Sequence, residues 1–291
     1  MTFQKQIVCF VLIGIMPMLT FSSTVSADTP KSQYNLFNPT PIDQMRDFSS
    51  DRPDKTDGPR TVDAGHFQLE MDLFNYTSSK YTVAGDDIRL KQYEIAPLNL
   101  RLGILNNSEV DFITTPYNVQ NTRDVTADTK QTLYGYGDST LRYKLNFFGN
   151  DTDGLAVGTI SRIKFATNHD NLGNHSVEGG QSLVVDYPWQ GFDIGYETEI
   201  DAARNSADGG FHAEFVNSIT IHHDLIKDKF NAYVEFYSDV PSNNDFPWIG
   251  TVDTGLIFSI TKNSKIDCGI NIGTTRGAPK WNPFTGFSVR F

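Results

Sequence analysis

From Gly65 to the end of the chain, apolar and polar residues alternate with a period of two in one segment after another. Successive side chains on a strand point to opposite sides, so this pattern predicts strands whose two faces meet unlike surroundings. Between 265 and 274, Ile266, Cys268, Ile270 and Ile272 share one face, and Asp267, Gly269, Asn271 and Gly273 share the other. Between 230 and 239, Phe230, Ala232, Val234 and Phe236 oppose Asn231, Tyr233, Glu235 and Tyr237. No stretch carries a convincing helical period. Twelve such segments can be marked, at about 65–76, 88–103, 108–119, 137–148, 154–166, 177–187, 191–202, 210–223, 229–239, 250–261, 265–275 and 282–291.

The connections between them sort by length. Short ones fall at Asn106-Asn107, 149–153, 188–190, 225–228 and 262–264, and long polar ones at 77–87, 120–136, 167–176, 203–209, 240–249 and 276–281. An even strand number with alternating short and long connections is what a transmembrane up-and-down barrel requires, its short turns on the periplasmic side. The polar faces also carry too many acids for a small dry core. Turned outward, the apolar faces meet lipid while the charges line water, and ring closure pairs every backbone group. The expected fold is an all-β, transmembrane antiparallel up-and-down barrel of about twelve strands over 65–291.

The two ends refine this. Lys5, an apolar run from Ile7 to Leu19, and small residues at Val25 and Ala27 read as a secretory signal peptide over 1–27, cleaved after Ala27. Residues 28–64 hold Pro30, Pro39, Pro41, Pro53 and Pro59 with little periodicity, which predicts an irregular arm or plug. The chain closes on Gly286-Phe287-Ser288-Val289-Arg290-Phe291. Gly286, Phe287, Val289 and the terminal Phe291 have the form of the signal read by the barrel-assembly machinery. The expected location is the outer membrane of a Gram-negative bacterium, with outer-membrane lipid as a partner.

Averaged composition conceals all of this. A mean hydropathy of −0.35 suggests a soluble protein. The average cancels, because every second residue faces lipid and every other one faces water. With 24 Lys and Arg against 35 Asp and Glu, the net charge of −11 excludes a nucleic-acid partner, which needs a basic face. One apolar run, at the N-terminus, excludes a multi-span helical membrane protein. After cleavage Cys268 is the only cysteine, so no internal disulfide can form.

Particular segments carry a family resemblance. Asp51-Arg52-Pro53-Asp54, Gly58-Pro59 and Gly65-His66-Phe67-Gln68-Leu69-Glu70 resemble the entry to the first strand in the outer-membrane group named for the MetA pathway of phenol degradation. His212-Ala213-Glu214-Phe215, Ala232-Tyr233-Val234-Glu235-Phe236 and Asp267-Cys268-Gly269-Ile270-Asn271, followed by Asn282-Pro283-Phe284, are similar to its later strands. The resemblance covers most of 50–291 and implies an outer-membrane barrel transporter. It brings no catalytic residues with it.

With apolar faces outward, Arg142, Lys144, Arg162 and Lys164 point into the lumen from neighbouring strands. Asp193, Glu197, Glu199, Asp201, Glu214, Glu235, Asp239, Asp253 and Asp267 face them from later ones. Such a polarised lumen suits the passive movement of a small-molecule solute, aromatic or hydrophobic by the resemblance and polar by the charges. The same charges can instead pair across the lumen and hold a structural barrel shut.

A lipase- or protease-like barrel is a further alternative, with His212, Glu214 and Ser218 on one face. Six residues of strand separate His212 from Ser218, about 20 Å and too far for contact. A third class is an adhesive barrel, for which Tyr134-Gly135-Tyr136 and Phe246-Pro247-Trp248 read better as membrane-interface aromatics. No catalytic residue, metal site or cofactor is assigned.

Overall fold

The computed structural model describes residues 31–291 apart from 84, 170–171 and 206–208. Fifteen strands form one antiparallel sheet: β1 (Phe67–Val83), β2 (Asp86–Ile95), β3 (Leu98–Leu105), β4 (Ser108–Thr114), β5 (Tyr117–Asp124), β6 (Thr129–Gly135), β7 (Ser139–Phe148) and β8 (Ala156–Phe165), followed by the second half. That half comprises β9 (Glu178–Trp189), β10 (Phe192–Arg204), β11 (Phe211–Ile226), β12 (Phe230–Pro241), β13 (Ile249–Thr261), β14 (Ser264–Gly273) and β15 (Trp281–Arg290). β15 pairs back onto β1, closing a ring of twelve in which β1 is followed by β3, β4 and then β7 through β15. β2, β5 and β6 are the outward continuations of β3, β4 and β7. The first two breaks are at Pro97 and Pro116, whose nitrogens have no proton for a ladder bond.

Here the fold departs from the sequence pattern. Much of 77–87 and 120–136, read as long loops, is strand: β1 and β2 meet at a tight turn, and β5 and β6 pair across 125–128. These segments form a four-stranded extension beyond the ring, in the order β1, β2, β5, β6. Their residues are polar on both faces, as in Ser78-Ser79-Lys80 and Lys130-Gln131-Thr132. Beyond the apolar layer both faces meet water, so the alternation that reveals a strand vanishes.

The exterior carries exposed Phe112, Leu141, Ile163, Ile200, Phe215 and Val252, each on a different strand. A belt of this extent on a closed barrel belongs in hydrocarbon. The interior is inverted relative to a soluble protein. Its fully buried large side chains include Arg101, Lys144, Gln68, Glu70, Glu109 and Glu235.

The arm turns back into the ring. Two 3-10 turns, Lys31–Gln33 and Ile42–Gln44, precede the stretch that enters the lumen. The Leu36 amide donates to the Ile104 carbonyl at 2.8 Å beside the short turn at 106–107. Lumen-facing glycines make room where the arm passes. A Cβ on Gly103 would lie 2.6 Å from the Val62 carbonyl, one on Gly158 3.2 Å from that of Pro59, and one on Gly286 would strike the Arg52 guanidinium. Tyr233, Gly255, Gly269 and Phe284 stand opposite one another on four successive strands. The two rings lie down over the two glycines, Tyr233 against Gly255 and Phe284 against Gly269, and Arg52 rests 5.7 Å from the centre of the Phe284 ring.

Candidate functional site

The arm is seated by charge. Asp51 enters a cluster of three buried cations: Lys144 Nζ donates to it at 2.7 and 2.8 Å, Arg142 Nη2 at 3.0 Å, and Arg101 Nη1 lies 3.3 Å away. Arg101 also donates to Glu70 at 2.7 Å and to Glu109 at 2.8 Å. Arg142 holds Asp57 at 2.7 Å and Asp111 at 3.0 Å. Across the lumen the polarity reverses, with arm cations meeting wall acids. Arg52 bonds Asp267 at 2.7 Å and also pairs with Asp72, Lys55 reaches Asp253 at 2.9 Å, and Arg60 reaches Asp186 at 2.7 Å. Glu235 accepts the amides of Lys55 (3.0 Å) and Thr56 (2.7 Å), and Glu197 accepts that of Asp57 (2.9 Å). His222 Nε2 donates to Asp54 at 2.9 Å.

Toward the long-loop rim from this seat lies a cavity of about 410 Å³. Lys55 and Asp57 form its arm side, Arg142, Arg162, Glu197 and Glu199 contribute charge, and Ile113, Ile160, Val216 and Tyr237 contribute an apolar patch. A smaller cavity of about 100 Å³ shares Thr140 and Arg162 with it and adds Lys164, Glu178, Asp201 and Glu214. An apolar patch beside a few fixed charges is the usual make-up of a small-molecule site.

The residues anticipated from sequence divide by depth. Arg142 and Lys144 are buried under the arm, as are Glu197, Glu235, Asp253 and Asp267. Arg162 pairs with Glu199 at 2.8 Å and with Asp201, while Lys164 pairs with Glu178 and Asp138. Asp193 is exposed beside the short turn at 190–191, and Glu214 sits 3.4 Å from His212 near the opposite rim. Ser218, by contrast, hydrogen-bonds the Thr56 hydroxyl beneath the cavity, so it does not meet His212. Gly286 faces the arm, whereas Phe291 stacks on Phe67 with ring centres 4.6 Å apart. Phe246, expected at the membrane interface, instead stacks on the His212 ring at 4.3 Å.

Sequence reasoning missed Glu70, Arg101, Glu109 and Asp111. They alternate with apolar neighbours as the later charges do, and the same two-residue period would have found them. The partners on the arm had no such signal, because an irregular segment has no period. Asp51, Glu109 and Asp111 bring carboxylate oxygens within 4.8 Å of one another, in the manner of a cation site. Arg101, Arg142 and Lys144 already supply the positive charge there.

Burial alone raises a carboxyl's pKa, but Arg101, Lys144 and Arg142 outweigh it and hold Asp51 well below the usual carboxylate range. Stability from a depressed carboxylate is complete above its unfolded value and is lost only as pH falls through the folded one. Acidification from about pH 7 to about pH 5 therefore leaves this anchor intact. The infrared carboxylate band of Asp51, identified by its loss in Asp51→Asn, is expected to be equally strong at the two values.

Residues 50–291 match the family described as "Putative MetA-pathway of phenol degradation". No curated protein sequence matches the chain. Among solved structures, it is similar to an outer membrane channel from Pseudomonas putida F1, with 11% identity, coverage of 84% of this chain and 100% of the other, and a TM-score of 0.61. It is also similar to the NanC porin, with 11% identity, coverage of 77% and 98%, and a TM-score of 0.49. The barrel strands and the arm residues from Ser50 onward lie within the matched span, and the chain belongs to the family of the MetA pathway of phenol degradation.

Proposed function

We propose that the protein is a passive outer-membrane channel for small solutes, with the arm as its periplasmic closure. The observation that carries this reading is the charge-lined cavity between the arm and the long-loop rim. A cavity of about 150 Å³ suffices for benzene. The space above the arm therefore accommodates a one-ring solute with attendant water. Ile113, Ile160, Val216 and Tyr237 suit an apolar ring. Arg162 and Lys164, with Glu199 and Asp201, suit polar substituents. The arm is held by ion pairs and hydrogen bonds to water-soluble groups, which a hydrated lumen can exchange for water as the arm moves.

The experiment uses Thr56 Oγ1 and Ser218 Oγ, 2.8 Å apart. A Thr56→Cys/Ser218→Cys variant, with Cys268→Ser, is expected to lose planar-bilayer conductance when oxidised and to regain it on reduction. Equal conductance in both states refutes the arm as closure, and no conductance in wild type or reduced variant refutes the channel. The second reading, a closed structural barrel, is favoured by the density of ion pairs around Asp51, and the same recording decides it.

A further inference from the structure

The geometry points to a divalent transition-metal site at the long-loop rim, ligated by His212 Nε2 and Glu214. His212 heads β11, and its side chain is only 4% exposed. Its Nδ1 lies 2.8 Å from Asn205 Oδ1, an oxygen that also accepts from Asn243 Nδ2 at 3.3 Å. An amide oxygen only accepts, so Nδ1 carries the proton, and a neutral ring leaves a bare lone pair on Nε2. Among the described residues that nitrogen has no hydrogen-bond partner. It faces Glu214 Oε1 at 3.4 Å.

An imidazole lone pair and a carboxylate oxygen that face each other repel unless a cation, a proton or a metal ion, lies between them. A proton is the first candidate, but a charge-assisted N–H···O bond closes to about 2.7–2.9 Å. The observed separation is wider. With metal–nitrogen and metal–oxygen bonds of about 2.0–2.2 Å, two ligands on a tetrahedral ion stand roughly 3.3 Å apart. The spacing fits two ligands on one ion.

Further features of the surroundings favour a cation. Asp239 on β12 lies diagonal to Glu214 in the sheet register, and its Oδ1 is likewise buried with no hydrogen-bond partner among the described residues. Asp201 stands directly across from Glu214 on β10, but it is already committed to Arg162. Glu214 is 28% exposed and lines the 100 Å³ cavity, which gives an ion an entry path. The Nδ1–H···O bond to Asn205 is the outer contact that ordinarily fixes a ligating imidazole. Mixed imidazole and carboxylate donors suit zinc and its neighbours rather than calcium or magnesium. A bound ion would also hold the rim, since Phe246 of the 242–248 connection stacks on the ligand ring.

The test is titration of the refolded, untagged full-length mature chain with Zn²⁺ by calorimetry, and with Co²⁺ by visible absorption. One Zn²⁺ per chain is expected, together with a Co²⁺ ligand-field band. His212→Ala and Glu214→Gln should each weaken Zn²⁺ binding at least tenfold and remove the band. A difference in migration between unheated and boiled samples in detergent gels reports that the barrel has folded. Glu214→Gln, which preserves shape, decides the matter if the histidine variant does not fold. No binding by the wild type, or undiminished binding by Glu214→Gln, overturns the site.

Discussion

Replacing Asp51 with Asn is expected to unseat the arm while leaving the barrel closed. Asp51 is the one acid shared by Arg101, Arg142 and Lys144, all buried. Without it Lys144 keeps, among the described residues, only Glu109, at 3.5 Å. Removing one member of a buried charge cluster strands the others in a place that cannot solvate them, at a cost of about 3–5 kcal/mol. That sum falls on the arm, because the ring is held separately by its own backbone ladder. Hydrogen-exchange protection of the 51–57 amides should fall at least about a hundredfold, since about 1.4 kcal/mol is a factor of ten. Bilayer conductance should rise if the arm is the closure. Lys31→Met is the contrast. Its pair with Asp151 is part-exposed on both sides, with side chains 21% and 33% exposed, so a loss within about 1 kcal/mol is expected. Equal effects of the two substitutions would refute the central role of Asp51.

A second large effect is expected from Gly103→Val, which alters no charge. A Cβ at 103 would overlap the backbone carbonyls of Val62 and Asp63, so the arm must shift as a whole. Overpacking against movable side chains costs about 1–3 kcal/mol, and immovable backbone sets the cost at or above the upper end of that range. The shift also draws Asp63 away from Arg290, now 3.2 Å distant, and from the Arg46 amide. In Gly158→Ala the added Cβ meets the Pro59 carbonyl of the arm at 3.2 Å and the Leu145 carbonyl of β7 at 2.9 Å, so part of the strain falls on the wall and protection of the arm should weaken far less. The order Gly103→Val well above Gly158→Ala, read by exchange at 61–63, separates steric seating from electrostatic seating. Barrel migration in unheated gels should be unchanged for Gly103→Val, because its added carbons meet the arm rather than the ladder.

The two substitutions probe one seat from two sides, and they differ in how visible their sites were. Lys144 and Arg142 were legible from alternation on β7, because a strand of period two declares which residues face inward. Arg101, Glu109 and Asp111 obey the same rule on β3 and β4. Asp51 obeys none, since its segment has no period and its partners lie on strands far away in sequence. The outer end of β1, most of β5 and all of β6 were hidden for the opposite reason. These strands are regular, but with water on both faces they carry no contrast for the eye to follow.

The sequence by itself determined the closed antiparallel barrel, the direction of its apolar face and most of the charges that line its lumen, while the export leader expected over 1–27 lies outside the described residues. These follow from local rules, in which each residue's place depends on its neighbours one or two positions away and on the solvent each face meets. Only the tertiary structure decided which acid met which cation, where the arm ran, why glycines stand at 103, 158 and 286, and that His212 lies against Glu214. Such pairings are set by ring closure and by a chain folding back through its own lumen. Both bring together residues that no local period connects.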